Sequence, residues 1–257
     1  MSSNYIILIV INARNTVNGL YYEYMNISKW KFLPHPFKRK ILQLLRYQTQ
    51  PFVYVAMGDS TAEGVGASTP SRSYTTIVYA SLKERYKQAK YHNIAKSGAV
   101  VDDVITTQLP RVLVLKPSLI TISIGANDII RRTNPRQFEE KLLLLLKTLQ
   151  QETDATVVIS TIPDLSVTPA VPLLLKRYSR YKAHKLNRSI HLIGKETKAV
   201  TVDMFEDSKA VLQIFPEAIA SDGFHPSDFG YALWANTILV TLRNVLAPVP
   251  EVKEIED

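Results

Sequence analysis

A serine hydroxyl becomes a useful nucleophile when a neighbouring base takes its proton and a third group holds that base in the right tautomer. Two stretches carry these residue types: Met57-Gly58-Asp59-Ser60-Thr61 and Ser221-Asp222-Gly223-Phe224-His225-Pro226. Asp222 and His225 stand three apart, so one loop presents them side by side. The carboxylate then accepts from one ring nitrogen, and the other faces Ser60. Attack on an ester carbonyl builds negative charge on oxygen, which needs donors set in place beforehand. The backbone N–H groups of Ser60 and Gly98 and the side-chain amide of Asn127 form the available set. The chain has no cysteine, so any nucleophile is oxygen or nitrogen, and disulfides and thiolate zinc sites are excluded.

The elements that must position these residues begin at Pro51. Short runs rich in Val, Ile or Thr mark strands at Phe52–Met57, Tyr91–Ala95, Leu119–Ile124, Thr156–Thr161 and Ala199–Asp203. Helical stretches lie between them. In Pro135–Gln151, Phe138, Leu142, Leu145, Leu146 and Leu149 share one helix face. Further helices are expected at Tyr74–Gln88, at Val101–Leu115 with Pro110 inside, at Leu175–Glu196, and at Phe229–Leu246 after a Ser227-Asp228 start signal. Alternating strands and helices imply right-handed crossovers and a parallel sheet covered on both faces. Ligands bind such sheets beyond the carboxyl ends of the strands. There stand Gly58-Asp59-Ser60, Lys96-Ser97-Gly98 and Gly125-Ala126-Asn127-Asp128, and the chain beyond the last strand adds Asp222 to Pro226.

In order along the chain, these four clusters resemble the blocks of the SGNH (GDSL-type) hydrolase superfamily. Gly58-Asp59-Ser60 is similar to its GDS block, Gly98 to its isolated glycine, Gly125-Ala126-Asn127-Asp128 to its GxND block, and Asp222-Gly223-Phe224-His225-Pro226 to its DxxHP block. The resemblance spans about residues 52 to 246. It implies a three-layer α/β/α, flavodoxin-like fold with a five-stranded parallel sheet. It also implies ester hydrolysis through an acyl-enzyme on Ser60, Asp222 and His225, with Ser60, Gly98 and Asn127 as oxyanion donors and no metal or organic cofactor. Thr61 stands where the commonest form has Leu, and Ser227 where Asn often follows the HP pair, which touches substrate fit more than chemistry.

Plainer readings stand beside these. Ser60 also suits a helix N-cap, Asp59 a brace for the turn, Asp128 an N-cap or turn brace, and Gly98 a loop position with positive φ. His184 and His191, seven apart, lack the helical metal-pair spacing and read as surface or groove residues; His35 and His92 show no partner. Asp102-Asp103 reads as a helix start. Gly64-Val65-Gly66 lacks the third glycine of a dinucleotide loop, and no phosphate-loop motif exists in the chain.

Of 257 residues, 46% are hydrophobic and 21% charged, as in ordinary globular domains. The net charge of +8 is uneven: residues 1–50 hold seven Lys/Arg against one Glu, and 251–257 one Lys against four acids. The remaining basicity does not argue for nucleic acid. This divides the chain into an extension at 1–50, a hydrolase domain at 51–248 and an acidic tail at 249–257. In the extension, residues 29–46 mix Lys and Arg with Trp30, Phe32, Phe37, Ile41, Leu44 and Leu45; they are expected to dock as an extra helix, with peripheral contact to an anionic membrane as the alternative. No apolar run reaches transmembrane length, and Tyr5–Ile11 makes a poor signal peptide, so a cytoplasmic location is expected, with membrane-peripheral association as the alternative. The substrate is a small-molecule, lipid or glycan ester, with pocket walls expected from Ile129–Thr133 and Pro163–Leu175. The rival functions are a glycan O-acyl deacetylase or acyltransferase using the same residues, and a membrane-peripheral binding module without activity.

Overall fold

The computed structural model describes residues 51–246, the two strands Tyr5–Val10 and Tyr21–Asn26, and Pro34. The chain divides into two units, one of residues 1–51 with 247–257, the other Phe52–Leu246. In the first unit, β1 (Tyr5–Val10) and β2 (Tyr21–Asn26) pair antiparallel, with Tyr5 opposite Asn26 and Val10 opposite Tyr21. The helix expected within 29–46 and the acidic tail lie outside the described residues.

The second unit is built on five parallel strands: β3 (Val53–Gly58), β4 (Lys90–Asn93), β5 (Leu119–Ser123), β6 (Thr156–Ser160) and β7 (Val200–Val202). They lie in the order β4-β3-β5-β6-β7. This is the flavodoxin-like order, whose switch point falls between its first and third strands, here β3 and β5. Side chains alternate across a strand. Accordingly Val53, Val55 and Met57 enter one apolar core, and Tyr54 and Ala56 the other.

Helices cover both faces. α1 (Ser60–Glu63) follows β3, α2 (Tyr74–Arg85) precedes β4, and α3 (Val101–Asp103), a π-helical segment (Val104–Gln108) and α4 (Leu109–Leu115) lead to β5. Then come α5 (Ala126–Ile130), α6 (Pro135–Glu152), α7 (Leu173–Thr197), α8 (Phe205–Ile214) and α9 (Asp228–Val245). α6 sets Phe138, Leu142, Leu145, Leu146 and Leu149 into the first core beside Leu186 and Ile190 of α7. Tyr74, Val78 and Leu82 of α2 pack in the second core with Tyr231, Trp234 and Ile238 of α9. The result is the expected α/β/α sandwich.

Besides the strands β1 and β2 and the short α5, none of which the sequence reading included, two elements of the second unit differ from it. The stretch Val101–Leu115 is interrupted by its π-helical turn. Pro110 lacks an N–H, and the Thr106 and Thr107 hydroxyls bond the carbonyls of Asp102 and Asp103, so the regular ladder has competition there. α8 was not anticipated. It starts without a side-chain cap from its own N-cap residue Met204; instead Asp203 Oδ1 accepts from Phe205 N–H at 2.8 Å.

Candidate active site

Ser60 sits where β3 turns into α1. Gly58 takes φ +129, and a Cβ there would lie 1.9 Å from the Ser123 carbonyl oxygen of β5, so only glycine fits. Asp59 caps α1, its Oδ1 accepting from Thr61 N–H at 3.1 Å. The buried Gln108 amide holds both polar groups of Gly58, accepting from its N–H and donating to its carbonyl, each at 2.8 Å. The side chain acts as one more rung of strand pairing just before the serine.

The loop from Ala218 to Ser227 carries the other two residues. It is closed by Ala220 N–H to the His225 carbonyl at 2.8 Å and Ser227 N–H to the Ala218 carbonyl at 2.9 Å. Asp222 Oδ1 accepts from the N–H groups of Phe224 and His225, which leaves Oδ2 for His225 Nδ1 at 2.6 Å. His225 Nε2 lies 2.9 Å from Ser60 Oγ. Burial opposes ionisation of Asp222, yet the bonds from the His225 ring and from the two backbone N–H groups hold its carboxyl below the ordinary value. An anion facing Nδ1 favours the tautomer with its proton there, leaving Nε2 free to accept from the serine.

Gly98 and Asn127 stand on neighbouring segments stitched to the same rim. Glu63 Oε2, at the end of α1, accepts from Ser97 N–H at 2.6 Å, and Arg131 Nη2 of the turn after α5 donates to the Gly98 carbonyl at 2.8 Å. Asn127 Nδ2 gives one proton to the Ala99 carbonyl at 3.1 Å and keeps the other. Ser60 opens α1, whose first N–H groups have no intrahelical acceptor. Among the described residues neither the Ser60 nor the Gly98 N–H is recorded with a partner.

A family model of the GDSL-like lipase/acylhydrolase family matches residues 56–233, a stretch that includes every one of these residues. The chain belongs to that family. A GDSL-like esterase of Mycobacterium tuberculosis is 29% identical over 193 residues, which are 74% of this chain and 61% of the relative, so the chain spans less than two thirds of that protein's length. Among solved structures, Axe2, an acetylxylan esterase from Geobacillus stearothermophilus, superposes with a TM-score of 0.60 at 22% identity, covering 76% of this chain and 94% of that one. A member of the lipolytic G-D-S-L family from Veillonella parvula gives 0.61 at 18%, covering 75% and 98%. At such identities these likenesses show the SGNH hydrolase fold.

The other GDSL-block and GxND-block carboxylates are buried. Burial pushes the Asp59 carboxyl up to about 7, against the hydrogen bond from Thr61 and with the nearby Asp128 adding to the rise. Asp128 is pushed up to about 6, again mainly by burial; it accepts from Val101 N–H at 3.2 Å and so ties α5 to the start of α3. Asp103 caps the same start through Val100 N–H, as a helix-start reading requires. Of the other histidines, His191 pairs with Asp203 at 3.4 Å and His184 packs on Phe205. Among the described residues no group of three or more His, Asp or Glu is placed to hold a metal. Gly66 answers for the Gly64-Val65-Gly66 run: a Cβ there would meet His225 Cβ at 2.8 Å, so the glycine makes room for the histidine loop.

A cavity of about 270 Å³ opens beside His225, with walls from Thr61, Ile124, Leu165, Val211, Phe224 and Trp234 among others. Its walls match the sequence expectation in part. Pro163, Asp164, Leu165 and Thr168 contribute, but residues 129–133 do not, and α8 and α9 supply much of the rest. Leu173 and Leu174 face solvent, 82% and 94% exposed. Sequence reasoning also missed Gln108, Glu63 and Arg131. Their types are ordinary on helices, and only the fold brings them to Gly58, Ser97 and Gly98.

Proposed function

We propose that the protein is a carboxylic-ester hydrolase working through an acyl-enzyme on Ser60. The observation that carries this reading is the Asp222–His225–Ser60 relay, with its 2.6 and 2.9 Å contacts. Ser60 Oγ attacks the carbonyl carbon while its proton passes to His225 Nε2, and Asp222 stabilises the imidazolium that forms. The oxyanion takes hydrogen bonds from the N–H groups of Ser60 and Gly98 and from the remaining proton of the Asn127 amide. Collapse breaks the bond to the alcohol, which leaves with the His225 proton. Water then attacks the acyl-serine, giving its proton to Nε2; the acid departs and Ser60 recovers the proton.

The apolar cavity beside His225 supports an acyl chain longer than acetyl as the preferred substrate. Hydrolysis of p-nitrophenyl esters from acetyl to palmitoyl tests both parts. Ser60→Ala and His225→Ala should lose at least about 10⁴-fold in kcat, and a fluorophosphonate should label Ser60 alone. Wild-type turnover by either variant would sink the reading. A steady preference for acetyl would remove the chain-length part and favour glycan deacetylation.

A further inference from the structure

Three consecutive leucines open α7, and all three are exposed. Leu173 is 82% exposed, Leu174 94% and Leu175 42%. Leaving such side chains in water forgoes the burial that usually holds leucine inside. The chain from Leu165 to Lys195 contains seven Lys/Arg and no Asp or Glu. Of these, Arg180 faces the buried Asp164 carboxylate at 3.6 Å and Lys182 lies over the Tyr178 ring, which occupies both locally. Arg177, Lys185 and Arg188 are exposed, and Lys176 partly so. Exposed leucines beside positive charge that has no acidic partner among the described residues match a surface that is apolar within and anionic outside.

The place matters as much as the composition. Ala170 N–H bonds the Gly223 carbonyl at 3.0 Å, so the loop leading into α7 rests on the loop that carries Asp222 and His225. Leu173 follows Ala170 by three residues, at most about 11 Å of extended chain. We propose that Leu173, Leu174 and Leu175, with Lys176 and Arg177 behind them, dock the protein on an anionic lipid surface next to its active site. The leucines enter the acyl region and the cations meet the headgroup phosphates. An ester leaving that surface then has a short path to Ser60. This last step rests on the ester-hydrolase reading; the docking does not.

Sedimentation of the full chain with phosphatidylcholine vesicles, with and without phosphatidylglycerol, tests the docking. Binding should need the anionic lipid and weaken in high salt. Leu173→Asp with Leu174→Asp should lower vesicle affinity by about tenfold or more while leaving p-nitrophenyl acetate turnover unchanged. Lys176→Glu with Arg177→Glu should remove the preference for anionic vesicles. The proposal is overturned if the wild type does not sediment, or if binding survives the leucine substitutions, which would place the contact elsewhere, residues 29–46 included. It is also overturned if the wild type is a dimer that the leucine substitutions dissociate, which would make a second copy the occupant. Loss of esterase activity in the wild type would defeat the proposed reaction and leave the vesicle result readable.

Discussion

Asn127 has already given one amide proton to Ala99, so in the proposed mechanism its contribution to the oxyanion rests on the single proton left. Asn127→Ala should lower kcat by about 10²- to 10³-fold with little change in KM, which steady-state kinetics on a soluble ester would show. Asp59 makes a different prediction because its carboxyl is held up at about 7 by burial. An acid raised in the folded state binds its proton more tightly there than when unfolded. Its stability is therefore fully present below the unfolded value and is lost as pH rises through about 7. Asp59→Asn keeps the oxygen that accepts from Thr61 and removes the charge. Its stability relative to wild type should be near zero at pH 4 and rise to at most about 4 kcal/mol by pH 8, read from urea unfolding across pH. A difference that does not change with pH would show that this carboxylate is not strained by burial. Ser60, Asp222 and His225 were legible in the sequence because local spacing carries their chemistry. The burial of Asp59 was not, since it depends on what β5 and α9 bring around it.

At the scale of elements, the serine is positioned by a strand end that cannot tolerate a side chain. Gly58→Ala would drive a Cβ into the Ser123 carbonyl at a φ of +129. It should cost at least about 2 to 3 kcal/mol and depress activity further, as the turn shifts to relieve the clash. Gln108 is the complementary case. It belongs to a π-helical turn and reaches back to both backbone groups of Gly58. Gln108→Leu leaves the buried Gly58 N–H unpaired, at about 1 to 3 kcal/mol, while the Gly58 carbonyl keeps its bond from Lys96 N–H at 3.1 Å; it should lower kcat more than it raises KM because Ser60 follows two residues on. Thermal unfolding together with kinetics separates the two effects. Gln108→Glu keeps the acceptor for the Gly58 N–H and should restore part of the loss. The five strands and the long helices α6, α7 and α9 were legible from periodicity. The π turn and α8 were not, because threonine back-bonding and a cap borrowed from Asp203 leave no periodic mark.

On the scale of the whole molecule, the residues brought together come from the start of α1 beyond β3, from the loop after β4, from α5 beyond β5, and from the loop before α9. They meet at the switch point between β3 and β5, where neighbouring crossovers leave the strand ends open. Residues Phe52–Leu246 form a compact unit with both apolar cores inside it. A chain of residues 51–248 should therefore unfold cooperatively and keep the turnover of p-nitrophenyl acetate within about twofold of the full chain. Loss of cooperative unfolding would show that the N-terminal residues complete the fold. By itself the sequence determined the fold class, the order of the strands along the chain, and which serine, histidine and aspartate could work together. Those follow from alternation, helical spacing and short-range motifs, all of which are local. Only the tertiary structure decided the rest: the clamp on Gly58, the bonds holding the Gly98 loop, the walls of the cavity, and the exposure of Leu173 and Leu174. Each of these depends on contacts between segments far apart in the chain, which no local pattern encodes.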